Sequence, residues 1–162
     1  VDAVGQSYFA TPLATVQLGR WEWRLSAPLI FFDAKHGMQV VAAGTSTNFA
    51  SIRSIRSASV GALITAAGLS VPASLLLTAP LLASLMGGLG LILLALYAVV
   101  AGYGNAASAL HDHLYTVGAL PRLECDRIFY RALRAEGVAR WRAALMYLGV
   151  RLGGGGHYWP AL

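Results

Sequence analysis

The sequence predicts an α+β protein: a small N-terminal antiparallel β-sheet packed on a C-terminal three-helix unit, with an apolar, membrane-type helical hairpin inserted between them. Three observations carry this. Short aromatic and β-branched runs broken by turn residues fill the first fifty positions, and no Asp, Glu, Lys, Arg or His occurs from Ser57 to Leu110. After Gly104 the apolar residues recur at helical spacing. The expected division is residues 1–57 plus 103–162 for the compact domain and 58–102 for the hairpin.

TVQLGRWEWRLSAPLIFFD holds two strand-like runs, interrupted at Gly19 and at the Ala27-Pro28 step, and AKHGMQVVAAG adds a glycine turn and another run. In WEWRL, Trp21, Trp23 and Leu25 alternate with Glu22 and Arg24, the pattern of a half-buried antiparallel strand. The tryptophans suit core packing or a stacking platform for a ligand. TSTNFASIRSIRS, 45–57, reads as a loop or short helical turn, with Arg53 and Arg56 just ahead of the uncharged run.

That run divides at Pro80 into 59–79 and 80–102, each about 20 residues and so about 30 Å of helix, enough for one crossing of a bilayer. The expected lipid or subunit contacts are Leu63, Ile64, Leu75, Leu76, Leu77, Leu81, Leu82, Leu85, Leu89, Leu91, Ile92, Leu93, Leu94 and Leu96. Gly61, Gly68, Gly87, Gly88 and Gly90 permit close helix approach. Arginines flank both ends of the run, so a hairpin with both termini on the cytoplasmic side is the simplest topology. Burial of these helices between subunits of a water-soluble assembly is the alternative.

Three helices follow. The first spans 105–117. Pro121 suits the first turn of the second and Gly137 its stop. Cys125, Ile128, Phe129, Ala132 and Leu133 form one apolar face, opposite Arg127, Arg131 and Arg134. In the third, Trp141, Ala144, Leu145, Leu148 and Leu152 repeat the pattern before GGGG, 153–156, and the tail is loose or docked by Tyr158 and Trp159.

Composition narrows the function. Apolar residues make up 57% and charged residues 12%, against about 25% charged in ordinary soluble domains. The net charge is +5, with seven arginines after residue 120, which suits a membrane face or a phosphate-rich neighbour. Nucleic acid is reachable only through the arginine face of the second helix. The single Cys125 excludes an internal disulfide framework and a multi-cysteine zinc site, and reads as a core residue. The first residues show no basic segment followed by an apolar one, so a secretory signal is not expected in the chain as given.

His111 and Tyr115 lie one helical turn apart on one face, with Asp112 displaced by about 100°, and Asp126 on the next helix is placed to turn back toward them. Such a cluster could hold a divalent metal through His111, Asp112 and Asp126, or serve as a general base with an orienting partner. It could equally accept hydrogen bonds that lock one helix to another. No HExxH or paired-histidine spacing accompanies it, no serine lies in a GxSxG elbow, and GGGG precedes no GK[ST].

APLIFFDAKHGMQVVAAGTSTNFASI, GYGNAASALHDHLY and ECDRIFYRALRAEGVARWRAALMYLGVRL, in that order, resemble a phage and prophage family known as domain of unknown function 1353. HDHLY and CDRIF are the most specific parts. The resemblance covers most of the chain outside about 58–98 and implies a compact α+β domain of phage origin, without a reaction. It adds Asn48 and Ser51 to the candidate site residues. Asn48 stands where the family usually has Asp, and Arg53 where it usually has Pro, so a carboxylate-rich centre would lack one charged ligand here.

The expected function is a bacteriophage virion-associated structural protein, of the tail or ejected with the genome, whose hairpin contacts or enters the host membrane during delivery. Its partners would be copies of itself, other virion proteins and the host membrane, and its places the virion and, during infection, the host inner membrane. The alternatives are a metal-assisted hydrolase of cell-envelope peptidoglycan and a holin-like lysis protein. No cofactor is expected; a divalent metal belongs to the hydrolase alternative.

Overall fold

The computed structural model describes residues 6–20, 22–49 and 102–158, with residues 84, 85, 87–92, 95 and 98. The chain divides into two compact units, Val1–Ser51 with Gly102–Leu162, and Ile52–Ala101.

The first unit carries two three-stranded antiparallel sheets rather than the one expected. β1 (Tyr8–Phe9), β4 (Leu29–Asp33) and β5 (Gly37–Val41) form one, in the order β1-β4-β5. β2 (Thr15–Gly19), β3 (Glu22–Leu25) and β6 (Ser46–Thr47) form the other, in the order β2-β3-β6. The division falls where Ser26-Ala27-Pro28 turns the chain out of β3, because Pro28 has no N–H to give a ladder. Thr11 then ties the corner: its Oγ1 donates to Pro28 O at 2.9 Å and accepts from Ile30 N at 2.8 Å. The alternation of WEWRL holds, since Leu25 is buried and Trp23 half-buried while Glu22 and Arg24 are exposed; Trp21 lies outside the described residues. Ser46 and Thr47, expected in a loop, pair with Arg24 and Trp23 as an edge strand.

The helices are α1 (Asn105–Val117), α2 (Arg122–Ala135) and α3 (Arg140–Gly153), with a 3₁₀ turn at Gly154–His157. Cys125, Ile128, Phe129, Ala132 and Leu133 of α2 are completely buried, as their spacing requires. Each of the larger ones contributes about 1.5–3 kcal/mol of burial. Pro121 stands one position earlier than expected, as the N-cap; its carbonyl accepts from Glu124 N at 2.8 Å and Cys125 N at 3.1 Å. At the far end Gly137, with φ 80°, lets its own N–H reach Arg134 O and that of Val138 reach Leu133 O, which closes the helix.

The reading of α3 is corrected. Its covered face is Ala143, Met146 and Val150, while Trp141, Ala144, Leu145, Leu148 and Leu152 are exposed. Both stripes are apolar, and the packed one is Ala143, Met146 and Val150, which lies on the opposite side of the helix from the one expected.

In the second unit the described residues between 84 and 98 are helical, and Leu85, Leu89, Leu91 and Ile92 are exposed. The remaining expected contact residues, Leu63, Ile64, Leu75, Leu76, Leu77, Leu81, Leu82, Leu93, Leu94 and Leu96, lie outside the described residues. Among the described residues no helix is long and apolar enough to cross a membrane.

Candidate functional site

α1 and α2 pack side by side, and their seam holds three of the four residues expected to cluster, His111, Tyr115 and Asp126. His111 and Tyr115 are both buried on α1, one turn apart, with ring centroids 4.1 Å apart. Asp126 projects from the covered face of α2 and its side chain is fully enclosed. His111 Nε2 lies 2.9 Å from Asp126 Oδ1, and Tyr115 donates its hydroxyl to the same oxygen at 2.5 Å. With Nε2 carrying the proton, both are donors.

Two arginines that the sequence pattern did not single out complete the cluster. Arg151 of α3 donates from Nη1 to Asp126 Oδ2 at 2.8 Å. Arg122 donates from Nε to the Tyr115 oxygen at 3.1 Å and from Nη2 to the carbonyls of Val150 and Arg151 at 2.9 and 2.7 Å. One carboxylate therefore gathers side chains from all three helices. The sequence signal for Arg151 is a lone cation in the last turn of a helix whose other charges, Arg140 and Arg142, lie in its first turn.

Burial alone would push the Asp126 carboxyl up. The hydrogen bonds from His111, Arg151 and Tyr115 outweigh it and hold the group below the usual carboxylate range. Burial, then the bond to Asp126, pushes the Tyr115 phenol up. Asp126 is held as an anion and Tyr115 as a neutral donor. Neither side chain faces solvent in this arrangement.

Asp112 does not join the cluster. It is half-buried on α1, and its Oδ2 accepts from Thr47 Oγ1 of β6 at 2.8 Å, a link between helix and sheet. Beside it Asn48 is exposed, and Phe49 takes φ 50°, stabilised by its N–H to Thr47 Oγ1 at 3.2 Å and by its ring against Trp23 at 5.1 Å. Ser51 lies outside the described residues. Among the described residues no three His, Cys, Asp or Glu side chains are grouped to hold a metal ion. Of the expected metal set, His111 and Asp126 meet and Asp112 is turned toward the sheet. Cys125, fully buried, has a thiol pushed up to about 11 by burial, which suits a core residue and not a nucleophile.

The site thus defines an α+β protein in which a buried carboxylate is held by three side-chain donors from two neighbouring helices. A family described as "Protein of unknown function (DUF1353)" matches residues 92–150, the part that contains α1, α2 and most of α3. The N-terminal block that resembled the same family lies outside that match. No curated protein and no solved structure matches the chain.

Proposed function

We propose that this chain is a structural component, a bacteriophage virion-associated protein of the tail or the ejected set. Its uncharged segment meets the host membrane during genome delivery, and its α+β unit is the rigid support. The observation that carries the reading is the unbroken absence of charge from Ser57 to Leu110 in a chain of net charge +5. The part of it outside the α+β unit, 57–101, has to be sheltered by lipid or by other copies of the chain, whereas Ala106 to Leu110 are buried within that unit. The three donors on Asp126 support the same reading, because they tie His111, Tyr115 and Arg151 to one buried carboxylate and so join the three helices. The support for membrane contact lies in residues 57–101, most of them outside the described residues, and rests on their sequence. Partners under this reading are sister copies, other virion proteins and the host inner membrane.

Mass spectrometry of purified particles from the phage or prophage that encodes the chain tests it, together with deletion of residues 59–101. The chain is expected in the particles, and the deletion is expected to leave particles that assemble but deliver poorly. Absence from particles, or full infectivity of the deletion, overturns the reading.

A further inference from the structure

The outer face of α3 has no use in the cluster above. Trp141, Leu145, Leu148 and Leu152 stand at i, i+4, i+7 and i+11, one stripe along the helix, and are 55%, 38%, 52% and 80% exposed. The opposite face already supplies the covered stripe, so this helix is apolar on two sides and, among the described residues, only one is packed.

Charge says what would cover the other. Arg140 and Arg142 border the stripe at its N-terminal end, Arg142 with its guanidinium 4.9 Å from the Trp141 ring centroid and 4.0 Å from that of Tyr103. α3 contains no acidic residue. Among the described residues the carboxylates are engaged elsewhere: Glu22 with Ser46, Asp33 with Arg131, Asp112 with Thr47, Glu124 with Lys35, Asp126 with Arg151, and Glu136 with the backbone N–H of Ala106 and Ala107. An exposed Trp and Leu stripe bordered by arginines, with no acid on the helix, matches a surface that is apolar below and anionic above.

We infer that the outer face of α3 is a docking surface for an anionic lipid bilayer, lying in the headgroup plane with Trp141, Leu145, Leu148 and Leu152 turned into it. This surface belongs to the α+β unit and is separate from the uncharged segment. It would hold the unit flat against a membrane whether or not that segment inserts.

The test uses the full chain with Cys125→Ala and Leu148→Cys, the new thiol carrying an environment-sensitive fluorophore. A second chain with Cys125→Ala and Ala135→Cys, on the exposed end of α2, is the control. Each is mixed with vesicles of phosphatidylcholine alone or of phosphatidylcholine with phosphatidylserine. The label at 148 is expected to shift to the blue and brighten several-fold on the anionic vesicles only. High salt, or Arg140→Gln with Arg142→Gln, should reverse the change, and the label at 135 should stay at its aqueous value. If the chain floats with vesicles while the label at 148 stays aqueous, the inference is wrong and the membrane role of the uncharged segment stands. An equal response on neutral vesicles also overturns it. So does a response that needs no vesicles and rises with protein concentration, which would make the stripe an interface between copies.

Discussion

Arg131 on α2 grips Asp33 at the end of β4 with both arms of its guanidinium, Nε to Oδ1 at 2.5 Å and Nη2 to Oδ2 at 2.9 Å, across 98 positions of sequence. The Asp33 side chain is fully enclosed, and it also accepts the backbone N–H groups of Lys35 and His36. Burial would raise its pKa; Arg131 and the backbone donors more than offset this and lower it. The pair clamps the β1-β4-β5 sheet to the helices. Arg131→Ala strands a buried anion, and is expected to cost about 2–4 kcal/mol in urea unfolding, less than a fully buried pair because Arg131 is partly exposed. In a double-mutant cycle with Asp33→Asn, a coupling near zero would show that the clamp does not hold the sheet.

Asp126 should be the most costly polar position of the helical unit. Asp126→Asn leaves Arg151 facing a neutral group and is expected to lose about 3–5 kcal/mol. Tyr115→Phe removes one donor to the carboxylate and is expected to lose about 1–2 kcal/mol. The pH dependence separates charge from shape. The folded Asp126 pKa is depressed, so its contribution is complete above the unfolded value of about 3.9 and is lost as the pH falls through the lower folded value. The stability gap between the parent and Asp126→Asn should therefore be constant near neutrality and shrink below about pH 4. A gap that persists unchanged into acid would mean that the fold does not depress the Asp126 pKa, and one that widens would mean that the carboxyl is protonated in the fold.

These contacts also show how far the sequence can be read. The α2 stripe from Cys125 to Leu133 is legible because only one face of that helix is apolar, so periodicity and burial point the same way. His111 and Tyr115 are legible as neighbours because i, i+4 geometry is local. α3 misleads for a physical reason: it has two apolar stripes, and periodicity marks a stripe without saying which one finds a partner. The larger residues look like the core, yet the face with Ala143 is the one that packs. The clamp between Arg131 and Asp33, and the arrival of Arg151 at Asp126, depend on how distant elements dock, which no spacing within one segment records. The short pairing of Ser46 and Thr47 with β3 is likewise a tertiary choice, made by two residues of turn-like composition.

Gly104 predicts a backbone effect. It precedes α1 with φ 72°, and its carbonyl accepts Ser108 N at 2.8 Å. A Cβ there would run into Leu133 Cδ2 and press on Met146 Cε at 3.2 Å. Conformational strain and overpacking act together, so Gly104→Ala is expected to destabilise by about 2–4 kcal/mol. Gly137 has a similar φ of 80° but nothing within reach of an added Cβ. Gly137→Ala should therefore carry the strain alone and cost about 1–2 kcal/mol. Thermal unfolding of the two variants checks the order, and equal losses would show that the contact with Leu133 relaxes freely.

Glu124 offers a titration that reads the contact between helix and turn. It begins α2 and reaches across to the turn between β4 and β5, where His36 Nε2 lies 2.8 Å and Lys35 Nζ 3.0 Å from Oε2, while Arg127 Nη1 lies 2.7 Å from Oε1. The hydrogen bonds from His36, Lys35 and Arg127 hold its carboxyl down to about 2. Because the folded value is depressed, the contribution of Glu124 is present above its ordinary 4.5 and fades as the pH falls toward 2. Carboxyl-carbon NMR across that range should show one glutamate titrating far below the others, and His36→Ala should raise its midpoint. The Lys35 partner is exposed, so added salt should weaken that part of the shift and leave the closer bond to half-buried His36 less affected. A Glu124 midpoint near 4.5 in low salt would show that the turn and the helix do not meet at this residue in solution.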